Sequence, residues 1–366
     1  MTVYLDYNAT APMLDSVMDV MMEIFRDIGN ASSVHKAGRH ARARVESARR
    51  DIAILIGADA RNVIFTGGGT EANNLALAGI AGVARPLIVS ATEHASVLQA
   101  RDDVIVTPVD ALGQLDLDAL DRLLSNCAPA LVSVMAANNE TGVLQPLDAI
   151  SKIAHAHGAV LHSDFIQATG RLDLDMRALG VDLATLSAHK IGGPQGVGAL
   201  VLGSGFAPHP LVRGGGQEQG HRAGTENVAG IAGFGVAAQS ARAAISGTSA
   251  IARLRDDMEA RLLAAQPQAV VIAQAAPRLP NTCCIAAPGV KAATQVMGLD
   301  LADVAVSAGS ACSSGRVQSS HVVEAMNFGS EISECAIRIS LGRQTSASDI
   351  DCLVEAWDQL VTRVLN

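Results

Sequence analysis

Only four lysines occur in this chain of 366 residues: Lys36, Lys152, Lys190 and Lys291. A reactive amine therefore has few places to sit. Lys36 opens an Arg-rich polar helix, Lys152 lies on an amphipathic helix, and Lys291 falls in a turn. Lys190 differs, because it follows an apolar strand ending in Ser187-Ala188-His189 and precedes the turn Ile191-Gly192-Gly193-Pro194. A lysine leaving a buried strand is placed to meet a cofactor carbonyl rather than bulk water. Asp164 ends another apolar run, Gly158 to Ser163. A buried acid at that point needs a cation or a hydrogen-bond donor, either a protonated heterocyclic nitrogen or the N–H groups of a helix that it caps. The stretch Gly67-Gly68-Gly69-Thr70-Glu71 runs from a strand through glycines into a helix. Free backbone N–H groups and the helix dipole make such an end an anion site, to which Thr70 adds a hydroxyl. No lysine follows in the manner of a P-loop, so a nucleotide-binding Walker motif is excluded. An amine, an acid for a pyridinium nitrogen and a phosphate cradle together specify pyridoxal phosphate (PLP).

A thiol forms the other constellation. Cys312 lies in Ser307-Ala308-Gly309-Ser310-Ala311-Cys312-Ser313-Ser314-Gly315. So many small residues have little to pack, which predicts an exposed loop suited to a thiol that travels. The other five cysteines sit in apolar or helical contexts and are expected to be structural. Cys283 and Cys284 are adjacent in a predicted strand, so their side chains face opposite ways and make a poor metal pair. His155 and His157 diverge on a helix, and no metal site is expected there. His94 ends a strand, where it could stack on a planar ring. Arg338 lies inside the apolar run Ala336 to Ser340 and calls for a carboxylate partner, from the protein or from a substrate.

The elements that must hold these residues are apolar β-branched runs alternating with amphipathic stretches. Predicted strands are Val63–Phe65, Pro86–Ser90, Val104–Pro108, Ala130–Met135, Val160–His162, Leu183–Ser187 and Gly198–Leu202. Predicted helices include Thr70–Ala81, Asp116–Ser125 and Leu147–His157. The alternation argues a mostly parallel sheet covered on both faces. In such sheets ligands sit beyond the carboxyl ends of the strands, which is where the polar residues collect. After residue 205 the pattern turns irregular, then helix-rich, then α+β, with strands at Thr282–Ala286, Val304–Val306 and Ile337–Ser340. Ser348 is the candidate cap of the last helix. A large cofactor-binding domain is expected over residues 15–245, with a small domain from residues 1–14 and 246–366 carrying the Cys312 loop.

Composition narrows the class. Hydrophobic residues make up 49% and charged ones 17%, which excludes disorder, and the net charge of −9 argues against a nucleic-acid surface. The first residues hold no basic stretch before an apolar one, and no run of 18 apolar residues occurs. Neither a signal peptide nor a membrane partner is expected, and a cytoplasmic chain is.

With these residues in hand, the chain resembles the NifS/IscS-like cysteine desulfurases, class V aminotransferase relatives among the fold-type I PLP enzymes. The resemblance runs nearly end to end. It is carried by Tyr4 to Pro12 (YLDYNATAP), Asn30 to His35 (NASSVH), Gly68 to Asn74 (GGTEANN), Asn138 to Gly142 (NNETG), Ser187 to Lys190 (SAHK), Gly214 to Glu218 with Arg222 to Thr225 (RAGT), and Ser310 to Ser313 (SACS). The family pattern implies an α/β fold-type I PLP-dependent transferase, with a mostly parallel seven-stranded sheet in the large domain and a smaller α+β domain. It implies that Lys190 holds PLP covalently, Asp164 pairs with the pyridinium nitrogen, and Gln167 and Asn139 lie near the phenolic oxygen and the substrate. His94 would stack on the ring. Gly69, Thr70, Ser187 and His189 would hold the phosphate, with Thr225 arriving from the second subunit of a homodimer. Arg338 would bind the carboxylate of L-cysteine, and Cys312 would accept its sulfur as a persulfide, leaving L-alanine. The sulfur would pass to an acceptor protein such as an iron–sulfur cluster assembly scaffold. Ile166, larger than the family's usual residue, would press on the cofactor face. A selenocysteine lyase or another PLP-dependent β-eliminase would keep Lys190 and Asp164, and a non-catalytic PLP-binding partner of an assembly scaffold is the alternative of another class.

Overall fold

The computed structural model describes residues 2–80, 85–127, 129–309 and 319–366. Seven strands form one sheet: β1 (Val63–Thr66), β2 (Leu87–Ser90), β3 (Val104–Thr107), β4 (Leu131–Ser133), β5 (Val160–Asp164), β6 (Leu183–Ser187) and β7 (Gly198–Leu202). Their order across the sheet is β1-β7-β6-β5-β4-β2-β3, and every pair is parallel except the two that β7 makes. All seven match predicted runs. The β-branched and leucine side chains alternate between two apolar layers, as a sheet covered on both faces requires. Phe65 and Ile88 enter one layer, whereas Ile64, Leu87 and Val89 enter the other. The carboxyl ends of six strands and the start of β7 consequently share one edge.

Glycine and alanine set the helix packing on one face. Helix Lys36–Leu55 buries Ala41, Val45, Ala48 and Ile52, spaced for one side of a helix. It lies so close to helix Val228–Ala244 that a Cβ on Gly235 would stand 2.7 Å from Ala48 Cα. By length and composition the stretch Val228–Ala265 could cross a membrane, yet its apolar first half is buried in this packing. A turn at Ile245–Gly247 separates it from helix Thr248–Ala265.

The second sheet is antiparallel, in the order Ser307–Ala308, Ala336–Ser340, Thr282–Ala286, Val270–Val271. Helices Thr248–Ala265 and Ala347–Leu365 contribute Leu262 and Trp357 to its core. The buried Trp357 indole donates to Gln295 Oε1 at 2.9 Å, so its polar edge is satisfied. Ser346, not Ser348, caps the last helix: its hydroxyl accepts from Asp349 N and the Asp349 carboxylate returns the bond, a complete capping box. The predicted strand Val304–Val306 is shorter, Val304–Ala305, and its partner is Val3–Tyr4 in parallel register. From there the chain runs along the second sheet, Ser340 N donating to Leu5 O and Tyr7 N to Ser340 O, before crossing to the first.

Candidate active site

Strand β6 ends at Ser187, and a single 3-10 turn, Ala188–Ile191, delivers Lys190 to the shared edge. Its Nζ donates to the carbonyl oxygens of Asn8 at 2.6 Å and Ala9 at 2.8 Å. Burial, reinforced by the cationic Arg338 and Arg171, lowers the Lys190 pKa from 10.5 to about 8. A larger share of this amine is therefore unprotonated and nucleophilic at mildly alkaline pH than of a solvated lysine. Next to it, burial lowers the His189 imidazole to about 4, and its Nδ1 meets Thr10 Oγ1 at 3.1 Å.

Asp164 ends β5, which pairs directly with β4 on one side and β6 on the other. Its Oδ2 accepts from Asn73 Nδ2 and its Oδ1 from Ile166 N, both at 2.9 Å. Burial nevertheless pushes its pKa up, although those bonds and the nearby His94 and Lys190 pull it down. A positively charged heterocyclic nitrogen would offset that burial cost, so the acid suits such a partner. Behind it His162 bridges β4 and β6, with Nδ1 2.8 Å from Ser133 Oγ and Nε2 3.0 Å from Thr185 Oγ1, and burial lowers it to about 3.

A cavity of about 610 Å³ opens beside His189, lined by Gly67, Gly68, Gly69, Thr70, Ser187 and His189 among others, and Lys190 lines a second cavity of about 700 Å³ together with Arg171. Helix Gly69–Asn74 starts on the wall of the first, so first-turn N–H groups there lack intrahelical acceptors. Gly68 has φ +154°, and a Cβ on Gly198 would stand 2.5 Å from the Gly68 carbonyl carbon. Glycine at 198 lets β7 and this turn approach so closely, whereas Gly68 supplies the unusual backbone angle. The glycine edge, the Thr70 and Ser187 hydroxyls and the imidazole fit a phosphate. Phosphate cradle, amine and buried acid together fit the donor set that PLP needs.

His94 caps the short helix Ala95–Leu98, its Nδ1 accepting from Ser96 N at 3.1 Å and facing Ser96 Oγ at 2.8 Å. Ser96 in turn accepts from Asn73 Nδ2, so His94, Asn73 and Asp164 form one network. Arg338 is buried; its Nη2 donates to Asp6 Oδ1 at 2.8 Å and its Nη1 to the Asn139 carbonyl at 3.1 Å. Gln167 Nε2 donates to Asn8 O at 3.0 Å, and its Oε1 accepts from Arg171 at 2.6 Å. The structure thus gathers Lys190, His189, Ser187, Asp164, Gln167, Asn139, Arg338 and His94 around one edge, with Gly69 and Thr70 across the cavity. Thr225 is exposed and is not among the cavity's lining residues. Cys312 falls in the stretch 310–318, outside the described residues.

Phe165 is fully buried in the apolar core. Ile166 leans on the cradle: a Cβ on Gly69 would be 2.2 Å from its Cδ1. One expectation changes: Cys352 is exposed on the last helix, so among the described cysteines Cys283, Cys284 and Cys335 are buried core thiols, while Cys127 is half-buried. Burial raises the pKa of both Cys283 and Cys284, and the two enter different apolar clusters as strand alternation requires. His155 and His157 pair with separate carboxylates, Asp182 and Asp121.

Asn8, Asp6, Asn73 and Arg171 belong to the site without having been assigned a role from sequence. Asn8 meets Lys190 and Gln167 through its carbonyl, which leaves no side-chain signature. Asn73 lies one helical turn beyond Gly69, and that spacing was the available signal.

Comparison with known proteins bears on the whole chain. Residues 3–353 match the model of the family described as aminotransferase class-V. A cysteine desulfurase of Cereibacter sphaeroides is 41% identical over 375 residues, covering 99% of this chain and 96% of that one. One from Klebsiella pneumoniae is 38% identical, covering 99% and 93%. Among solved structures, a NifS-like protein from Rickettsia africae superposes with a TM-score of 0.92 at 36% identity, covering 98% of this chain and 99% of that one.

Proposed function

The chain belongs to the aminotransferase class-V family and is a cysteine desulfurase, and from that premise we propose that Lys190, Asp164, Arg338 and Cys312 carry its reaction. The carrying observation is the convergence of a lysine with pKa lowered to about 8, a buried acid and a glycine-edged cavity at one sheet edge. When bound there, PLP supplies an electron sink for the bonds to the substrate's Cα. Lys190 would anchor it, and its amine would hold or move the Cα proton. Asp164, fixed by Asn73 and Ile166 N, keeps a ring nitrogen protonated. Arg338 binds the substrate carboxylate with the part of its fork that Asp6 and Asn139 leave over. His94, oriented by Ser96, would help hold the ring and keep water from it. Gly69, Thr70, Ser187 and His189 hold the phosphate.

Cys312 thiolate attacks the sulfur of L-cysteine. An S–S bond forms, the substrate's Cβ–S bond breaks, and its electron pair stays on carbon. That carbon gains a proton, so L-alanine leaves and a persulfide remains on Cys312. Sulfur is oxidised and carbon reduced by the same two electrons, so no outside oxidant is needed. The persulfide then passes to an acceptor protein, for which an iron–sulfur scaffold is our reading. We also infer a homodimer. Helix Asp15–Arg26 and the turn after it expose Met18, Met22, Phe25 and Ile28, an apolar strip that a second copy would cover. That copy would bring Thr225 to the phosphate.

Mass spectrometry of the Cys312 peptide after incubating the PLP-loaded chain with L-cysteine tests this reading. One added sulfur atom is expected, together with L-alanine. Unchanged cysteine-to-alanine turnover in Cys312→Ala would remove the persulfide route.

A further inference from the structure

Glu140 is buried, and neither the chemistry nor the cofactor contacts above use its carboxylate. Among the described residues it has no ion-pair partner. What it touches is specific. Its Oε2 accepts the Ser320 hydroxyl at 2.5 Å, and Ser320 Oγ in turn accepts from Val323 N at 3.1 Å, capping helix His321–Ala325. From the other direction Gly309 comes so near that a Cβ on it would stand 2.5 Å from the same oxygen and 2.8 Å from Ser320 Cβ. One carboxylate oxygen therefore meets the chain on both sides of the stretch 310–318, which carries Cys312.

The same place is tied to the substrate cation. Asn139, the residue before Glu140, gives its carbonyl to Arg338. Ser307, two residues before Gly309, donates at 2.8 Å to Asp6, whose other oxygen holds Arg338. The two ends of the thiol's segment and the guanidinium that would grip the substrate thus share their supports. Burying a carboxylate is costly, and such a group persists where its bonds fix a geometry.

We propose that Glu140 is a positioning residue for sulfur transfer: its carboxylate clasps Gly309 and Ser320 together beside the Arg338-binding peptide and so fixes where the Cys312 segment starts and ends. The assignment rests on the reading of Cys312 as sulfur acceptor. Displacing a reacting group by about 1 Å can cost on the order of 100-fold in rate, so a loosened root would act on transfer rather than on substrate binding.

The test uses the PLP-loaded chain in single-turnover reactions with L-cysteine, following sulfur on Cys312 by mass spectrometry. L-cysteine affinity is read separately from the change in visible absorbance. Glu140→Ala is expected to slow sulfur arrival by about 10- to 100-fold. PLP content and L-cysteine affinity should stay within about twofold of wild type, less than the tenfold change that ~1.4 kcal/mol would bring. Glu140→Gln keeps an acceptor oxygen for Ser320 and is expected to restore most of the rate. Wild-type transfer in Glu140→Ala, an equal loss of substrate affinity, or failure of Gln to rescue would each overturn the proposal. Should Glu140→Ala lose PLP, Ser320→Ala removes the same hydrogen bond with a smaller change; slowed transfer supports the clasp and an unchanged rate refutes it. If wild type itself gains no sulfur at Cys312, the acceptor reading fails, whereas a normal wild type with unaffected variants refutes the role of Glu140 alone.

Discussion

Lys190 carries the clearest consequence among single residues. Its pKa falls from 10.5 to about 8, first because burial penalises its charge and then because Arg338 and Arg171 repel it. Between those two values the unfolded chain binds a proton that the folded chain has lost. The stability of the PLP-free protein should therefore rise with pH across that window through this group, and gain nothing from it below about 8. The same shift governs reactivity. PLP uptake by the cofactor-free chain, followed by visible absorbance, should accelerate up to about pH 8 and then level off; a rate still climbing steeply at pH 10 would contradict the assigned environment. Lys190 and Asp164 could be picked out in the sequence because an ionisable group closing an apolar run is costly and therefore informative. Asn8 could not, since its carbonyl is what Lys190 and Gln167 use. Arg171 sits in a turn after Gly170, a context without apolar period, yet it is half-buried and bonded to Gln167 and Tyr7, and burial lowers its pKa to about 10.

Secondary-structure elements position these groups through close backbone approaches. The Gly69 cradle is a sensitive point, because any Cβ there meets Ile166 Cδ1. Gly69→Ala should weaken PLP retention, measured by dialysis and absorbance, and pairing it with Ile166→Ala should recover part of the loss. No recovery would place the damage in the backbone. At the far end of the fold, Ser346→Ala removes one half of a capping box and should cost about 1 kcal/mol in urea denaturation, whereas Ser348→Ala should cost less. Long elements were legible because hydrophobic period declares itself over many residues. The pairs Val3–Tyr4, Val270–Val271 and Ser307–Ala308 are two residues each, too short for any period. Helix Thr70–Ala81 was foreseen as one element. It is α-helical over Gly69–Asn74 and π-helical over Leu75–Ile80, a widening to which the apolar pattern is blind.

For the assembled molecule, the loop from Gly214 to Thr225 is held to the first sheet by a buried pair. Arg49 grips the Glu218 carboxylate at 2.7 and 2.9 Å, and Glu218 also accepts from Phe65 N just before the glycine cradle. Arg222 adds a bond to Glu71 at 2.8 Å. This loop ends at Thr225, so its fixed shape would present that residue to a second copy. Phe25→Glu places a charge in the exposed apolar strip and should shift the sedimenting species toward monomer and lower PLP retention together. An unchanged dimer would move the interface elsewhere, and a monomer with full PLP retention would remove Thr225 from the phosphate site. The parallel pairing of Val3–Tyr4 with Val304–Ala305, and the bonds of Tyr7 and Asn8 to Ser340, have a consequence in time. During synthesis residues 3–8 emerge about 300 residues ahead of their partners, a delay of roughly 15–60 s at ribosomal speeds. Until then the carbonyls that receive the Lys190 amine have no scaffold. Cofactor capture on the ribosome should therefore trail completion of the chain, and release of full-length product should precede the rise in visible absorbance.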